Sequence, residues 1–197
     1  MSLRRAFKAI AFGLSLVLTS PLIVIASLEK AVSRSEWVFA GFGQLLSLVP
    51  GIPGVYLRGA YYFGTLRQCS WETHIGFGSV FTHRDACVGS NVSTGLYCVI
   101  GQARIGSDAR LASRVSIPSG KRQHLDDQGR LSTDTNLERV VIGKGCWVGE
   151  GAIIMSDVGE ASIISAGAVV ITPAPGFSLI GGNPARVVKT LESTSPD

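Results

Sequence analysis

Charge is scarce in this chain. Asp, Glu, Lys and Arg make up 16% of its 197 residues, against 46% hydrophobic residues. That balance is too apolar for an ordinary soluble domain and suits a membrane or a large subunit interface. The basic residues that exist are clustered. Residues 1–67 hold Arg4, Arg5, Lys8, Lys30, Arg34, Arg58 and Arg67 against Glu29 and Glu36, a net +5 that leaves −1 for the rest. They flank greasy segments and form no stripe, which argues against nucleic acid and for an anionic membrane surface. Histidine is nearly absent: His74, His83 and His124 are the only three. Of four cysteines, none forms a C-x-x-C, which argues against a zinc knuckle. Cys69 and Cys87 stand at repeat positions that elsewhere carry Ile, Val or Leu, as small buried hydrophobes in a reducing compartment would.

One domain with an appendage fits this length. Residues 1–66 form the appendage, a helical membrane-associated anchor. A short basic start precedes an uncharged apolar run over residues 9–28, about the length of a spanning helix. Pro21 interrupts that run, and a kink or break is expected there. Residues 35–49 form a second apolar segment, too short to cross a bilayer comfortably. Residues 50–53 are a stop, and Tyr56, Arg58, Tyr61, Tyr62 and Phe63 have the composition of a headgroup-level interface.

From Cys69 the period becomes six. Cys69, Ile75, Phe81, Cys87, Ser93, Val99, Ile105, Leu111 and Ile117 recur at that spacing, with Gly, Ser, Asn, Asp and Ala between them. A helix would space apolar residues by three and four, and an ordinary strand by two. A fixed period of six marks a parallel β-helix, with three steps to each triangular coil and the apolar position turned inward. The fold class is therefore mainly β over residues 67–190, with a tail at 191–197. The period halts after Ile117 and resumes at Ile142 and Val148. It slips by two after Ile154, and resumes at Val158, Ile164 and Val170, as a shortened corner would allow. The halt expels a polar loop, residues 118–140, with His124 near its start.

Three stretches then carry a resemblance. Val141-Ile-Gly-Lys-Gly-Cys-Trp147-Val-Gly resembles the tryptophan step of the hexapeptide-repeat acyltransferases. Ile164-Ser-Ala-Gly-Ala-Val-Val, followed by Gly181-Gly-Asn-Pro-Ala-Arg186-Val-Val-Lys189, is similar to that family's ending. Ser119-Gly-Lys-Arg-Gln-His124 most resembles the branch that acylates the sugars of polysaccharides and antibiotics. The resemblance implies a left-handed β-helix, a homotrimer, acetyl-CoA or another acyl-CoA as co-substrate bound between neighbouring prisms, and no metal. It implies a membrane-associated O-acetyltransferase acting on a sugar or lipid-linked polysaccharide precursor.

A sugar hydroxyl needs a general base to attack a thioester, and imidazole titrates in the right range. His124 matches the family's base. Trp147 matches the tryptophan that lines the cleft near the family's catalytic histidine and the donor's reactive end. The backbone around Gly149 and Ala166 matches that which bonds the pantetheine amides, and Arg186 and Lys189 match residues near the donor's phosphates. Thr172 stands where the common pattern has a basic residue. His83, Arg122 and Asp126 are candidates for the substrate side. Asp126 and Asp127 are also candidates to orient His124, and Lys121, with Arg122, to meet an anion. Since acyl-CoA is cytoplasmic, the anchor is expected to re-enter the cytoplasmic leaflet without crossing, with Glu29, Lys30, Arg34 and Glu36 at the membrane interface. Two other classes compete: a non-catalytic trimeric scaffold, and a zinc enzyme resembling the β-helical carbonic anhydrases.

Overall fold

Pro21 does not stop the first helix. In the computed structural model, which describes residues 3–33, 35–126 and 128–192, α1 runs unbroken over Leu3–Val32. A proline at this position leaves the carbonyl of Val17 without its usual N–H. The hydroxyl of Ser20 donates to that carbonyl at 2.8 Å, so the expected break is not needed. One stripe of α1, Phe12, Ser15, Thr19 and Ala26, is buried. The opposite face leaves Phe7, Leu14, Val17, Val24, Leu28 and Val32 exposed. By length and composition this helix could cross a membrane. Two shorter helices follow: α2 at Trp37–Ser47 and α3 at Gly51–Thr65.

The rest of the described chain is a three-sided prism of two- and three-residue strands. The first sheet stacks Gln68–Cys69, Cys87–Val88, Ala103–Ile105 and Val140–Ile142 in parallel, and bridges through Val158 and Ala174 extend it to six rungs. The second holds Ser93–Thr94, Arg110–Leu111, Trp147–Val148 and Ile163–Ile164, then a closing antiparallel hairpin, Ser178–Gly182 with Ala185–Thr190. The third runs from Val80–Phe81 to Val169–Val170. The second to fifth coils each turn two corners through left-handed residues that stack in columns, Asn91 on Asp108 and Tyr97 on Arg114 among them. Asn and Asp accept that conformation more readily than other residues with a Cβ.

The inward side chains are close to those the period of six names, with one correction. Cys69, Ile75 and Phe81 point inward, but the next coil turns Val88, Thr94 and Ile100 to the core and leaves Val99 46% exposed. Cys87, Ser93 and Val99 are thus one position out of register. The cause is a seven-residue step from Phe81 to Val88, balanced by a five-residue step from Ile100 to Ile105. The extra residue lies in the corner Thr82-His83-Arg84-Asp85. After the loop, Ile142, Val148, Ile154, Val158, Ile164 and Val170 are all buried, and the short step at 154–158 absorbs the slip. All four cysteines are buried free thiols.

The three helices close the first end of the prism, and here the expected interfacial aromatics are corrected. Arg58, Tyr61 and Tyr62 are fully buried at the prism base. Arg58 Nη1 donates to the carbonyls of Leu46 and Val49 at 3.1 and 2.8 Å, and its Nε to Ile75 at 3.0 Å. It satisfies carbonyls left open at the end of α2, where a cation is also favoured by the helix dipole. Tyr62 packs on Phe81 at 4.8 Å and its hydroxyl accepts the Phe81 N–H.

A second correction concerns Glu29 and Glu36, expected at a membrane interface. Both are used to dock helices on the prism. The Glu29 carboxylate accepts the Val38 and Phe39 N–H groups, capping α2, and pairs with the buried Arg84 guanidinium. Glu36 accepts the Arg84 N–H at 2.9 Å and contacts His83 Nδ1 at 2.7 Å. Lys30 remains exposed, and Arg34 lies outside the described residues. At its other end α1 reaches the first coil through Phe12 against Trp71 and Arg5 near Glu72. Held at two different corners, α1 lies across the prism base and does not project from it.

Candidate active site

The loop at residues 118–139 leaves the corner between the third and first sheets. Its two ends are tied together: the Glu138 N–H donates to the Ser119 carbonyl at 3.0 Å, and Ser119 Oγ accepts the Gln102 N–H at 2.7 Å. Lys121 Nζ donates to the Ile171 carbonyl, two coils further along the same corner. Inside the loop, the backbone of His124 is fixed by the Ser132 N–H donating to its carbonyl at 2.9 Å. Its imidazole is exposed and has no hydrogen-bond partner among the described residues. An exposed imidazole can come within reach of a substrate proton.

Asp126 does not orient His124. Its carboxylate accepts the N–H groups of Gln128 and Arg130 and the Arg130 Nε, all at 2.8–2.9 Å. The Arg130 N–H, with the other donors, holds its carboxyl below the usual aspartate range. Arg122 donates to the Asp126 carbonyl at 2.9 Å. Both candidates therefore build the loop that carries His124. A clamp between Asp126 and Arg130, four residues apart, is legible only once the turn between them is known. Asp127 lies outside the described residues. His83 sits at the same corner of the first coil, with Nδ1 held by Glu36, in a docking role.

The donor candidates sit elsewhere on the prism. Trp147 is 52% exposed on the outer face of the second sheet, between Arg110 and Ile163. That face lies opposite the corner from which the loop emerges. Among the described residues, no hydrogen bond joins the loop to the Trp147 strand. A single chain does not bring His124 and Trp147 together. Gly149 is buried, and its N–H donates to the Ile164 carbonyl at 2.7 Å, so that N–H is not free for a donor amide. An added Cβ there would meet Ala166 N at 2.5 Å, which explains the glycine by coil stacking. Ala166 itself is exposed, with its N–H unpaired among the described residues. Thr172 and Arg186 line one small cleft of about 130 Å³ where the closing hairpin meets the fifth coil. Lys189 is exposed on the last strand of that hairpin. Open backbone N–H, indole and cations on one end of the prism are groups able to meet amides and phosphates.

Solved structures of acetyltransferases share this three-sided parallel prism, a likeness of fold to the left-handed β-helices. A maltose O-acetyltransferase from Clostridium difficile 630 superposes with a TM-score of 0.68 at 23% identity, over 79% of this chain and 86% of that one. A hexapeptide-repeat-containing acetyltransferase from Vibrio cholerae gives 0.65 at 19% identity, over 79% and 90%. An N-acyltransferase from Bacillus cereus, solved with coenzyme A and an amino-dideoxyglucose nucleotide, gives 0.51 at 17% identity, over 61% and 70%. In sequence, the chain is 28% identical over 94 residues to serine acetyltransferase 2 of Arabidopsis thaliana. That match takes in 47% of this chain and spans only 28% of the curated relative. No family model matches the chain.

Proposed function

We propose that the protein is a membrane-associated O-acyltransferase that moves an acetyl group from acetyl-CoA to a hydroxyl of a sugar or lipid-linked saccharide. The observation that carries this reading is the expelled loop itself. It is braced by Asp126 and Ser119 and presents the exposed imidazole of His124, which has no hydrogen-bond partner among the described residues. His124 takes the hydroxyl proton as the oxygen attacks the thioester carbonyl, a carbon–oxygen bond forms, the carbon–sulfur bond breaks, and the proton leaves with the coenzyme A thiol. Trp147 and the Ala166 N–H line the donor's arm, while Arg186 and Lys189 face its phosphates. Since one chain holds His124 and Trp147 on opposite sides, the reaction centre is completed between two copies, in a homotrimer.

The membrane part of the proposal rests on α1. Its outward apolar stripe continues with Trp37, Leu45, Leu48 and Ile52 of the other helices. At about 1.5–3 kcal/mol for each fully buried side chain, that face would bind a bilayer by an amount on the order of 10 kcal/mol. Contacts at both ends of α1 hold it flat on the prism base, which favours a monotopic anchor in the cytoplasmic leaflet over a span. The catalytic reading is tested by His124→Ala in the full-length protein. Acetyl transfer should fall about 10²-fold or more, with acetyl-CoA affinity almost unchanged. Wild-type turnover in that variant would exclude His124 as the base.

A further inference from the structure

A cavity of about 640 Å³ opens at the prism base, between α1, α3 and the corner of the first two coils. Nothing in the catalytic reading above uses it. Its size is that of a small-molecule site, and its lining is mixed. Phe12, Ile52, Val55 and Trp71 are its apolar lining, whereas Arg5, Lys8, Glu72, His74 and Asn91 are its polar lining. Ile52 is 72% exposed and belongs also to the apolar surface of the helices, so the apolar lining is continuous with the face assigned to the bilayer.

Arg5 and Lys8 are three residues apart on α1 and project from the same side. Arg5 has Glu72 at 3.7 Å, an exposed pair of little strength that an incoming anion can displace. Lys8 has no carboxylate within ion-pair distance among the described residues. Partial burial, with Arg58 and Lys8 nearby, lowers the pKa of His74 from its ordinary value.

His74 also begins a column. It bridges Ser93, which pairs with Arg110, which pairs with Trp147, all outward on the second sheet. Three rungs at about 4.8 Å put the cavity roughly 14 Å from Trp147. Arg110 Nη1 donates to Ser93 Oγ at 3.3 Å, so the column is polar over its middle.

We propose that this cavity binds the phosphate and the first part of the hydrocarbon of a lipid-linked saccharide drawn from the bilayer. Its sugars extend up the Ser93–Arg110 column to the acyl-transfer site beside Trp147. This deepens the acyltransferase reading and rests on it for the destination of the sugar. The occupant is an amphiphile because the cavity joins a greasy lining to two cations, and it comes from the membrane because that lining opens onto the apolar helix face.

The test uses a photoactivatable alkyl phosphate in phosphatidylcholine vesicles carrying the full-length protein, with cross-links mapped by peptide mass spectrometry. Label is expected on residues 52–56 and on Trp71, competed by dodecyl phosphate and not by dodecyl glucoside or inorganic phosphate. The double variant Arg5→Gln, Lys8→Gln should lose at least about tenfold of the label. Lys30→Gln, which removes the same charge type at the far end of α1, should lose none. Label spread evenly along the apolar face, competition by inorganic phosphate, equal competition by the neutral glucoside, or indifference to the double variant would each overturn the proposal. Acetyl-CoA hydrolysis is measured on the same samples. A protein that labels as expected without hydrolysing acetyl-CoA keeps the cavity and loses the acyltransferase, and the converse result separates the two the other way.

Discussion

Replacing Arg84 by methionine should undock the helices from the prism without unfolding the prism. The guanidinium is 7% exposed, pairs with a Glu29 carboxylate that is 8% exposed, and lies 4.7 Å over the Phe39 ring. Breaking a buried ion pair on one side costs about 3–5 kcal/mol, because the other charge is left without its partner. Here the low end applies, since Glu29 keeps the Val38 and Phe39 N–H groups. At 1.36 kcal/mol per tenfold, about 3 kcal/mol corresponds to roughly 10²-fold faster opening. Hydrogen exchange read by mass spectrometry is the assay, comparing peptides from α2 with peptides from the third sheet. Exchange in α2 should accelerate about a hundredfold while Ile117 and Ile154 stay protected. Acceleration below about fivefold, or equal acceleration in both regions, would refute the role given to this pair. Glu29→Gln should be milder, and combining it with Arg84→Met should cost less than the two single changes together.

Mixing subunits tests where the active site is completed. His124→Ala and Trp147→Ala chains, each of low activity alone, should regain about a quarter of wild-type activity when co-assembled at equal amounts, since half the chains supply each intact residue. A mixture no better than its parents would put the site within one chain. Acid should also loosen the helices. Burial pushes the Glu36 carboxyl up, but His83 and Arg84 outweigh it and hold its pKa below the ordinary value of 4.5. A depressed carboxylate stabilises the docked form above its unfolded pKa and loses that contribution as pH falls through the folded value. Exchange in α2 should therefore rise as pH drops below 4.5, after correction for intrinsic rates. Glu36→Gln should reduce this dependence, the rest coming from Glu29, whose carboxyl is held low, against the cost of burial, by the Val38 and Phe39 N–H groups and Arg84. For the anchor, a single cysteine placed at Ser33 should not react with an impermeant reagent added outside intact cells. Labelling there would replace the in-plane anchor with two spans.

Much of the scaffold was legible from the period alone, because an inward apolar side chain every six residues is a local demand of each short strand and corner. Ile105, Leu111, Ile117 and Ile142 are buried as that rule requires. So was the loop, since a run of more than twenty mostly polar residues cannot fill the narrow prism interior and must be expelled. The second coil escaped the rule. Cys87-Val88 and Val99-Ile100 are adjacent apolar pairs, and either member satisfies the pattern. Only the seven-residue corner around Arg84 decides which one turns inward.

The helical third shows the reverse balance. Composition indicated greasy helices, and they are helices. Composition could not say that Arg58 would be buried to close α2, or that Glu29 would reach across 55 residues to Arg84. Those choices depend on which charge finds a partner when the helices meet the prism base, a long-range event that no local spacing encodes. The cavity lined by Arg5, Lys8 and His74 arises in the same way, from three separate segments converging. The sequence by itself determined a coiled β scaffold, an expelled histidine and an apolar leader, because each follows from near-neighbour patterning. The tertiary structure alone decided how the apolar helix lies on the scaffold, because packing, and not periodicity, sets it.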